Sequence, residues 1–357
     1  MKKLFLLFTA AIMLCGCRNF SSPAEKNGYK VMVLGDLHYD GKDYHKTPAT
    51  TPNRAKERVR NFTMWESATP KLLSYAANQL DKDVSFIIQA GDFVQGDCDT
   101  IELQEKMIRD GFATIKKNFP NHKLLPVRGN HDVRMLKGNS GTPTVNAFFP
   151  LIAKELGVEK ITGSYSVRHE KDLYIFFDAF LRKGQSLKAL KKILAANADA
   201  RHTFFITHLP VLNCCLGNPA WLVPDFKEVR QLLLDRNAII IAAHTHVPSI
   251  IQAKRDGKQL TQVVVSSIGR NWIPGAKPEI AFAGFDAYCK KIGNKRMNQK
   301  RFKASFDDMK SFEFPVFDIY NFKSITGFAM LKVSGNEIFI EYYNDNSGKP
   351  VLTRKLR

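Results

Sequence analysis

Apolar positions fall along this chain in two spacings. Largely apolar runs of four or five residues at 31–34, 86–90, 124–127, 204–207 and 239–243 have the length of buried strands. Between them lie longer segments whose apolar residues recur every three or four positions. Leu103, Met107, Ile108, Phe112 and Ile115 predict a helix over 101–118. Leu187, Leu190, Ile193 and Leu194 form the inner stripe of a basic amphipathic helix over 186–197. Thr69-Pro70 reads as an N-cap followed by proline at the first helical position, opening a helix to about Leu80. Residues 147–156 read as helical, with Pro150 interrupting the helix or marking its start. Asp225-x-x-Glu228 has the form of a capping box for a helix ending near Arg236. Segments 164–169 and 173–178 predict one hairpin. Segments 325–333 and 337–343, joined by Ser334-Gly335-Asn336, predict another that completes a sheet.

Strand and helix alternate through the first two-thirds, which predicts an α/β fold. No period of 20 to 50 residues indicates a repeat array. Two stretches resist the pattern. Residues 39–68 form a long polar insertion containing Pro48 and Pro52, expected to be a lid or substrate-facing loop. Residues 275–322 mix aromatic and basic residues without a period and read as an insertion of unclear role.

The ends of the five apolar runs carry the chemistry. They break into Gly35-Asp36-Leu37-His38, Gly91-Asp92, Gly129-Asn130-His131-Asp132, His208 and His244-Thr245-His246. One polar turn after a strand is ordinary, because Gly, Asn and Asp are turn formers. Five such breaks, all in Asp, Asn or His, point to a shared metal site at the carboxyl ends of buried strands, where α/β proteins place their ligands.

The order Asp-x-His, Gly-Asp, Gly-Asn-His-Asp, His, His-x-His resembles the calcineurin-like metallophosphoesterases, over residues 29–270. That resemblance implies two stacked mixed β-sheets flanked by helices, with residues 29–357 as one domain. It also implies two metal ions. Asp36, His38 and His246 would bind the first, and Asn130, His208 and His244 the second. Asp92 would bridge them. His131 would bind phosphate and protonate the leaving group, and Asp132 would orient His131. Nitrogen and oxygen ligands without thiolate suit manganese, iron or zinc. Hydrolysis of phosphate mono- or diesters is the implied activity. The alternative is a non-catalytic scaffold that binds a phosphorylated ligand. Gly96 stands where protein Ser/Thr phosphatases carry a phosphate-gripping Arg, and Asp132 where they carry Glu, so a protein phosphatase is disfavoured.

The amino terminus changes where this chemistry is expected. Met1-Lys2-Lys3 precedes an apolar stretch at 4–14, too short to span a bilayer comfortably. Leu14-Cys15-Gly16-Cys17 then resembles a bacterial lipoprotein signal. Cleavage after residue 16 would leave Cys17 acylated, with 17–28 as a tether. The protein would face away from the cytoplasm in the cell envelope. Arg18 after the cysteine favours the outer membrane if the organism is Gram-negative. The formal charge is +19, which attracts anions without naming them. Lys290, Lys291, Lys295, Arg296, Lys300, Arg301 and Lys303 concentrate part of it without the aromatic interleaving of a nucleic-acid surface. The partners expected are therefore a phosphate ester and a membrane, not nucleic acid. Cys98, Cys214, Cys215 and Cys289 include no CxxC pair and read as buried free thiols.

Overall fold

The computed structural model describes residues 19–20, 28–182, 184–215, 221–293, 300–321 and 325–357. Cys17, its acylation and the signal segment lie outside the described residues.

Two mixed sheets form the framework. The first runs Leu352–Lys355 (β15), Glu337–Tyr343 (β14), Phe328–Ser334 (β13), Tyr29–Leu34 (β2), Val84–Gln89 (β3) and Leu124–Pro126 (β4). The second runs Asn19–Phe20 (β1), Tyr165–His169 (β5), Asp172–Phe177 (β6), Thr203–Thr207 (β7), Ile239–Ala242 (β8), Lys258–Val264 (β10), Ser249–Arg255 (β9), Glu313–Tyr320 (β12) and Ile280–Ala283 (β11). The expected hairpin of β13 and β14 does complete the first sheet, pairing antiparallel with β2.

Side-chain alternation explains the layering. Tyr174 and Phe176, Phe204 and Ile206, and Ile239 and Ile241 enter the core shared with Val31, Val33 and Phe86 of the first sheet. Their neighbours Ile175, Phe177, Phe205 and Ile240 point the other way, into a second core with Leu190, Ile193, Val229 and Leu233. A period of two on strands buried on both faces yields this result: one set of residues joins the sheets, the other holds the outer helices. The Tyr174 ring stacks on Phe204 at 4.6 Å and meets Phe86 of the opposite sheet edge-on at 5.0 Å. The outer helices of the second sheet include Gln185–Ala196 (α5) and Phe226–Leu234 (α6). Leu72, Leu73, Met107 and Ile108 come from Thr69–Asn78 (α2) and Ile101–Asn118 (α3) and pack beside the first.

Several sequence expectations change. Residues 39–68 are not a loop throughout: Pro52–Thr63 (α1) is helical, capped by Thr51, whose hydroxyl accepts from the Arg54 amide. A π-helical turn, Met64–Ala68, joins α1 to α2, so Thr69 is inside a continuous helical rod and caps nothing. Pro70 follows that turn as Pro150 follows the π turn Thr144–Phe148 before Phe149–Leu156 (α4). The wider turn accommodates a ring that offers no N–H and crowds the carbonyl four residues back. Asp225 takes a left-handed backbone at the start of α6 and its side chain makes no cap bond, so the capping box fails. Residues 275–322 add β11 and β12 to a sheet edge. Phe285–Ile292 (α7) and Lys300–Met309 (α8) supply Tyr288, Phe302, Phe306 and Met309 to the second core. Asn19 and Phe20, expected within the tether, pair with β5.

Cys98 and Cys214 are buried free thiols as expected, but Cys215 and Cys289 are partly exposed. Lys295 and Arg296 of the basic cluster lie outside the described residues.

Candidate metal centre

Strand register sets the site. Leu34 pairs with Gln89, and Gln89 with Pro126, so three parallel strands end in one row. The chain segments that follow carry Asp36 and His38, Asp92, and Asn130 and His131. On the second sheet β7 and β8 run parallel and end at His208 and His244. The amides of Leu37 and His38 both donate to the Asp92 carbonyl, at 3.1 and 2.9 Å. The Ser267 hydroxyl and the Ile268 amide, which follow β10, donate to the Asp36 carbonyl at 3.0 and 3.2 Å. The two sheets are thus tied together at the edge where the ligands emerge.

The backbone there is strained. His38, Asp92, His244 and His246 all have positive φ, between 44° and 68°. Each such conformation in a residue other than glycine costs about 1–3 kcal/mol and clusters at functional sites. Two glycines make the close approach possible. A Cβ on Gly91 would lie 2.5 Å from the His208 ring, and one on Gly129 would lie 2.1 Å from the Asp92 nitrogen.

All seven expected metal ligands converge. Asp36, His38 and His246 have ligand atoms within 4.8 Å of one another, as do Asp92, His208 and His244. Asn130 joins the second group, its Oδ1 3.1 Å from His208 Nε2. That nitrogen is also 3.1 Å from Asp92 Oδ2 and from His244 Nδ1. The His208 Nδ1–H donates to the Ala90 carbonyl at 3.0 Å, which turns Nε2 toward the cluster. Asp36, His38, Asp92 and His208 are fully buried, while Asn130, His244 and His246 are partly exposed and open the site to solvent.

The donor set fits metal ions on a specific observation. Asp36 Oδ2, both ring nitrogens of His38 and Nδ1 of His246 are buried without a hydrogen-bond partner. Buried polar atoms are nearly always satisfied, and these orphans fall in one cluster of suitable ligand type. Burial pushes His38 and His244 down to about 3, leaving neutral imidazoles ready to coordinate. Burial also pushes Asp36 up to about 7. For His208, burial acts downward, but Asp92 and Asp36 outweigh it and raise the imidazole to about 9. Burial acts to raise Asp92, yet His208 and His131 hold it well below the usual carboxylate range. In the metal-free protein a proton on His208 therefore supplies positive charge between the carboxylates.

His131 lies against this cluster. Its amide donates to Asp92 Oδ1 at 2.8 Å, and its Nε2 is 4.0 Å from Asp92 Oδ2. His38, Asp92 and His131 also satisfy ligand spacing as a third group. The expected role of Asp132 is corrected. Asp132 accepts from the Gly129 amide at 2.7 Å and the Val94 amide at 3.0 Å, bracing the turn. The His131 ring is oriented by the Gln95 carbonyl, 2.9 Å from Nδ1. Neighbours in sequence, His131 and Asp132 point apart on a short 3-10 turn, a separation that residue order alone does not disclose.

Three further residues border the site. Trp221 lies 4.4 Å from His244, ring to ring, and is 38 % exposed. Arg60 on α1 and Arg270 after β10 both lie within electrostatic reach of Asp36. No motif spacing marks any of them. The tertiary fold alone brings them to the ligands.

A family model described as calcineurin-like phosphoesterase matches residues 29–248. The chain belongs to this family. Its ligand-bearing segments, from Asp36 to His246, all lie inside the match. No curated protein matches the sequence significantly. Among solved structures, the family fold recurs in a dimetal phosphatase from Danio rerio (TM-score 0.50, 11 % identity, 92 % of this chain and 99 % of that one). It recurs in PhoD (TM-score 0.51, 9 % identity, 94 % and 73 %). It recurs also in GAP50, the anchor in the inner membrane complex of Plasmodium (TM-score 0.50, 13 % identity, 93 % and 89 %). At these identities the likeness is one of fold.

Proposed function

We propose that this family member hydrolyses phosphate mono- or diesters with two ions of manganese, iron or zinc, outside the cytoplasm, on a lipid attached to Cys17. The observation that carries the catalytic part is Asp92. Its buried Oδ2 lies 3.1 Å from His208 Nε2 and 3.9 Å from His38 Nε2, one imidazole from each proposed ion site, and His131 Nε2 stands 4.0 Å from it. Asp36, His38 and His246 would hold one ion and Asn130, His208 and His244 the other, with Asp92 common to both. Bound ions supply positive charge for phosphoryl oxygens and lower the pKa of a water for in-line attack.

The protein's own groups do the rest. Asn130 contributes a neutral oxygen, which leaves the site's positive charge for the substrate. His131, with Nδ1 donating to Gln95, presents Nε2 as the atom that holds a proton for the departing alkoxide. Burial depresses this imidazole to about 3, so its protonated form needs the counter-charge that an incoming phosphate brings. Arg128, buried and paired with Asp178 at 2.7 Å, anchors the turn that carries Asn130.

The test is an assay of purified full-length protein, metal-stripped and reloaded with each ion, against phosphomonoesters and phosphodiesters. Turnover that requires an ion and disappears on chelation is expected. Ion binding without turnover on any ester would replace the enzyme with a phosphate-binding scaffold. The envelope location rests on Leu14-Cys15-Gly16-Cys17. Cys17→Ser should release the protein from the membrane fraction, and retention of the variant there would refute the anchor.

A further inference from the structure

Aromatic rings stand unequally round the candidate metal centre. At the proposed first ion the imidazoles contact one another: His38 stacks on His246 at 5.3 Å and meets His131 edge-on at 4.5 Å. At the proposed second ion the neighbours are apolar rings. Trp221 lies 4.4 Å from His244 with its plane tilted by 35°, and Phe180 lies 6.3 Å from His208. Both rings are seated by the backbone beside them. Leu222 and Val223, which follow Trp221, are buried, and the Val223 amide donates to the Pro210 carbonyl at 3.1 Å. Pro210 stands two residues past His208, so the indole is held from the same strand end that carries a ligand. The Phe180 amide donates to Asp178 Oδ1 at 2.9 Å, and Asp178 is the partner of Arg128.

A lone exposed apolar side chain needs no explanation. Trp221 differs from one in two respects. Trp65 and Trp272 are partly buried and spend their indole N–H on backbone carbonyls, at 2.9 and 2.7 Å. Trp221 makes no such bond among the described residues, and 38 % of it is exposed. The ring it lies against, His244, is itself partly open to solvent at the mouth of the site. A rigid indole set on a proposed ligand, with the rest of its area uncovered, offers a flat π surface beside the place where an ester must dock.

We propose that Trp221 stacks on an aromatic ring carried by the phosphate ester, and so selects esters of aryl groups or nucleobases over alkyl esters. The proposal rests on the phosphoesterase reading above. Aryl groups and nucleobases share a π face, and stacking on an indole buries both faces without needing a directional bond. An alkyl ester of equal charge presents the same phosphate to the ligands but has no ring to cover the indole. The substrate ring lies on the second-ion side, where the apolar neighbours are.

Calorimetry on the manganese-loaded full chain tests this with phenylphosphonate and methylphosphonate, which match in charge and resist hydrolysis. Wild-type protein should bind phenylphosphonate about 10-fold more tightly. Trp221→Ala should remove most of that preference, with two ions retained and methylphosphonate affinity changed by less than about 3-fold. Trp221→Phe should recover part of it, since a smaller ring still offers a π face. An acyclic adenine phosphonate separates the sources: a gain over methylphosphonate that needs Trp221 points to a nucleotide, and its absence to an aryl ester. Equal affinity for phenyl- and methylphosphonate in wild type overturns the proposal, and so does an unchanged preference in Trp221→Ala. Loss of ions in that variant, or equal loss on both probes, overturns it too, because Trp221 would then only shield His244. Wild-type protein that shows the preference through Trp221 but hydrolyses no ester would refute the enzyme reading alone.

Discussion

Gly129 packs against Asp92 in the candidate metal centre, and that close approach gives a quantitative expectation for Gly129→Ala. An added Cβ would meet the Asp92 nitrogen at 2.1 Å, Asp92 Oδ1 at 2.3 Å and Asp92 Cα at 2.8 Å. Two of these atoms are backbone, so no side-chain rotation relieves the clash. The turn or the Asp92 segment must move by about an ångström, and overpacking of this kind costs about 1–3 kcal/mol. The movement also disturbs two bonds to carboxylates: His131 N–H to Asp92 Oδ1 at 2.8 Å and Gly129 N–H to Asp132 Oδ2 at 2.7 Å. Hydrogen bonds to charged groups contribute about 1.5–3 kcal/mol each. A net loss on the order of 3–6 kcal/mol follows if the bonds are only partly re-formed. Because Asp92 is the proposed bridge between the two ions, both should weaken together. Gly141→Ala is the control, since its nearest atom would be Arg128 Nη1 at 3.9 Å, ordinary contact. Urea unfolding of the metal-free variants reads the stability term, and metal analysis after dialysis reads the site. A Gly129→Ala protein with two tightly held ions and stability within about 0.5 kcal/mol of wild type would refute the close approach and the shared role of Asp92.

Two further outcomes are expected. His131→Gln should keep both ions and lose about 10²–10⁴-fold in turnover, more on an alkyl phosphate than on p-nitrophenyl phosphate, whose leaving group needs no proton. Loss of an ion in that variant would make His131 a ligand, as its spacing to His38 and Asp92 permits. The metal-free protein should lose stability as pH rises. His208 is raised to about 9 in the fold, so its contribution is complete below the unfolded value near 6.5 and fades as pH passes 9. The rise from near 6.5 to about 9 corresponds to roughly 3 kcal/mol. Asp36, raised to about 7 by burial, acts in the same direction at lower pH. A thermal unfolding profile of chelated protein that is flat or rising from pH 6.5 to 9 would contradict the protonated His208.

The sequence by itself determined which residues would cluster at the candidate site and most of the framework, because both are written in local pattern. Buried strands impose an apolar run of fixed length, and chemistry placed at their carboxyl ends must appear directly after each run. Asp36, His38, Asp92, Asn130, His131, His208, His244 and His246 were all legible for that reason, as were α3, α5 and the β13–β14 hairpin. Tertiary structure decided what depends on the direction of a side chain or on a partner distant in sequence. Asp132 follows His131 in the chain but turns away to brace Gly129 and Val94, leaving the imidazole to a carbonyl 36 residues upstream. The helix in 39–68 carries apolar residues too sparsely for a helical stripe. It is held instead by polar bonds from Asn61 and Trp65 to the ligand segments. Residues 275–322 have no period because their aromatics fill a core already shaped by α5, α6 and the sheet. Arg60 and Arg270, 210 positions apart, both come within electrostatic reach of Asp36 only in the folded chain, since such proximity depends on distance in space and leaves no spacing in the chain.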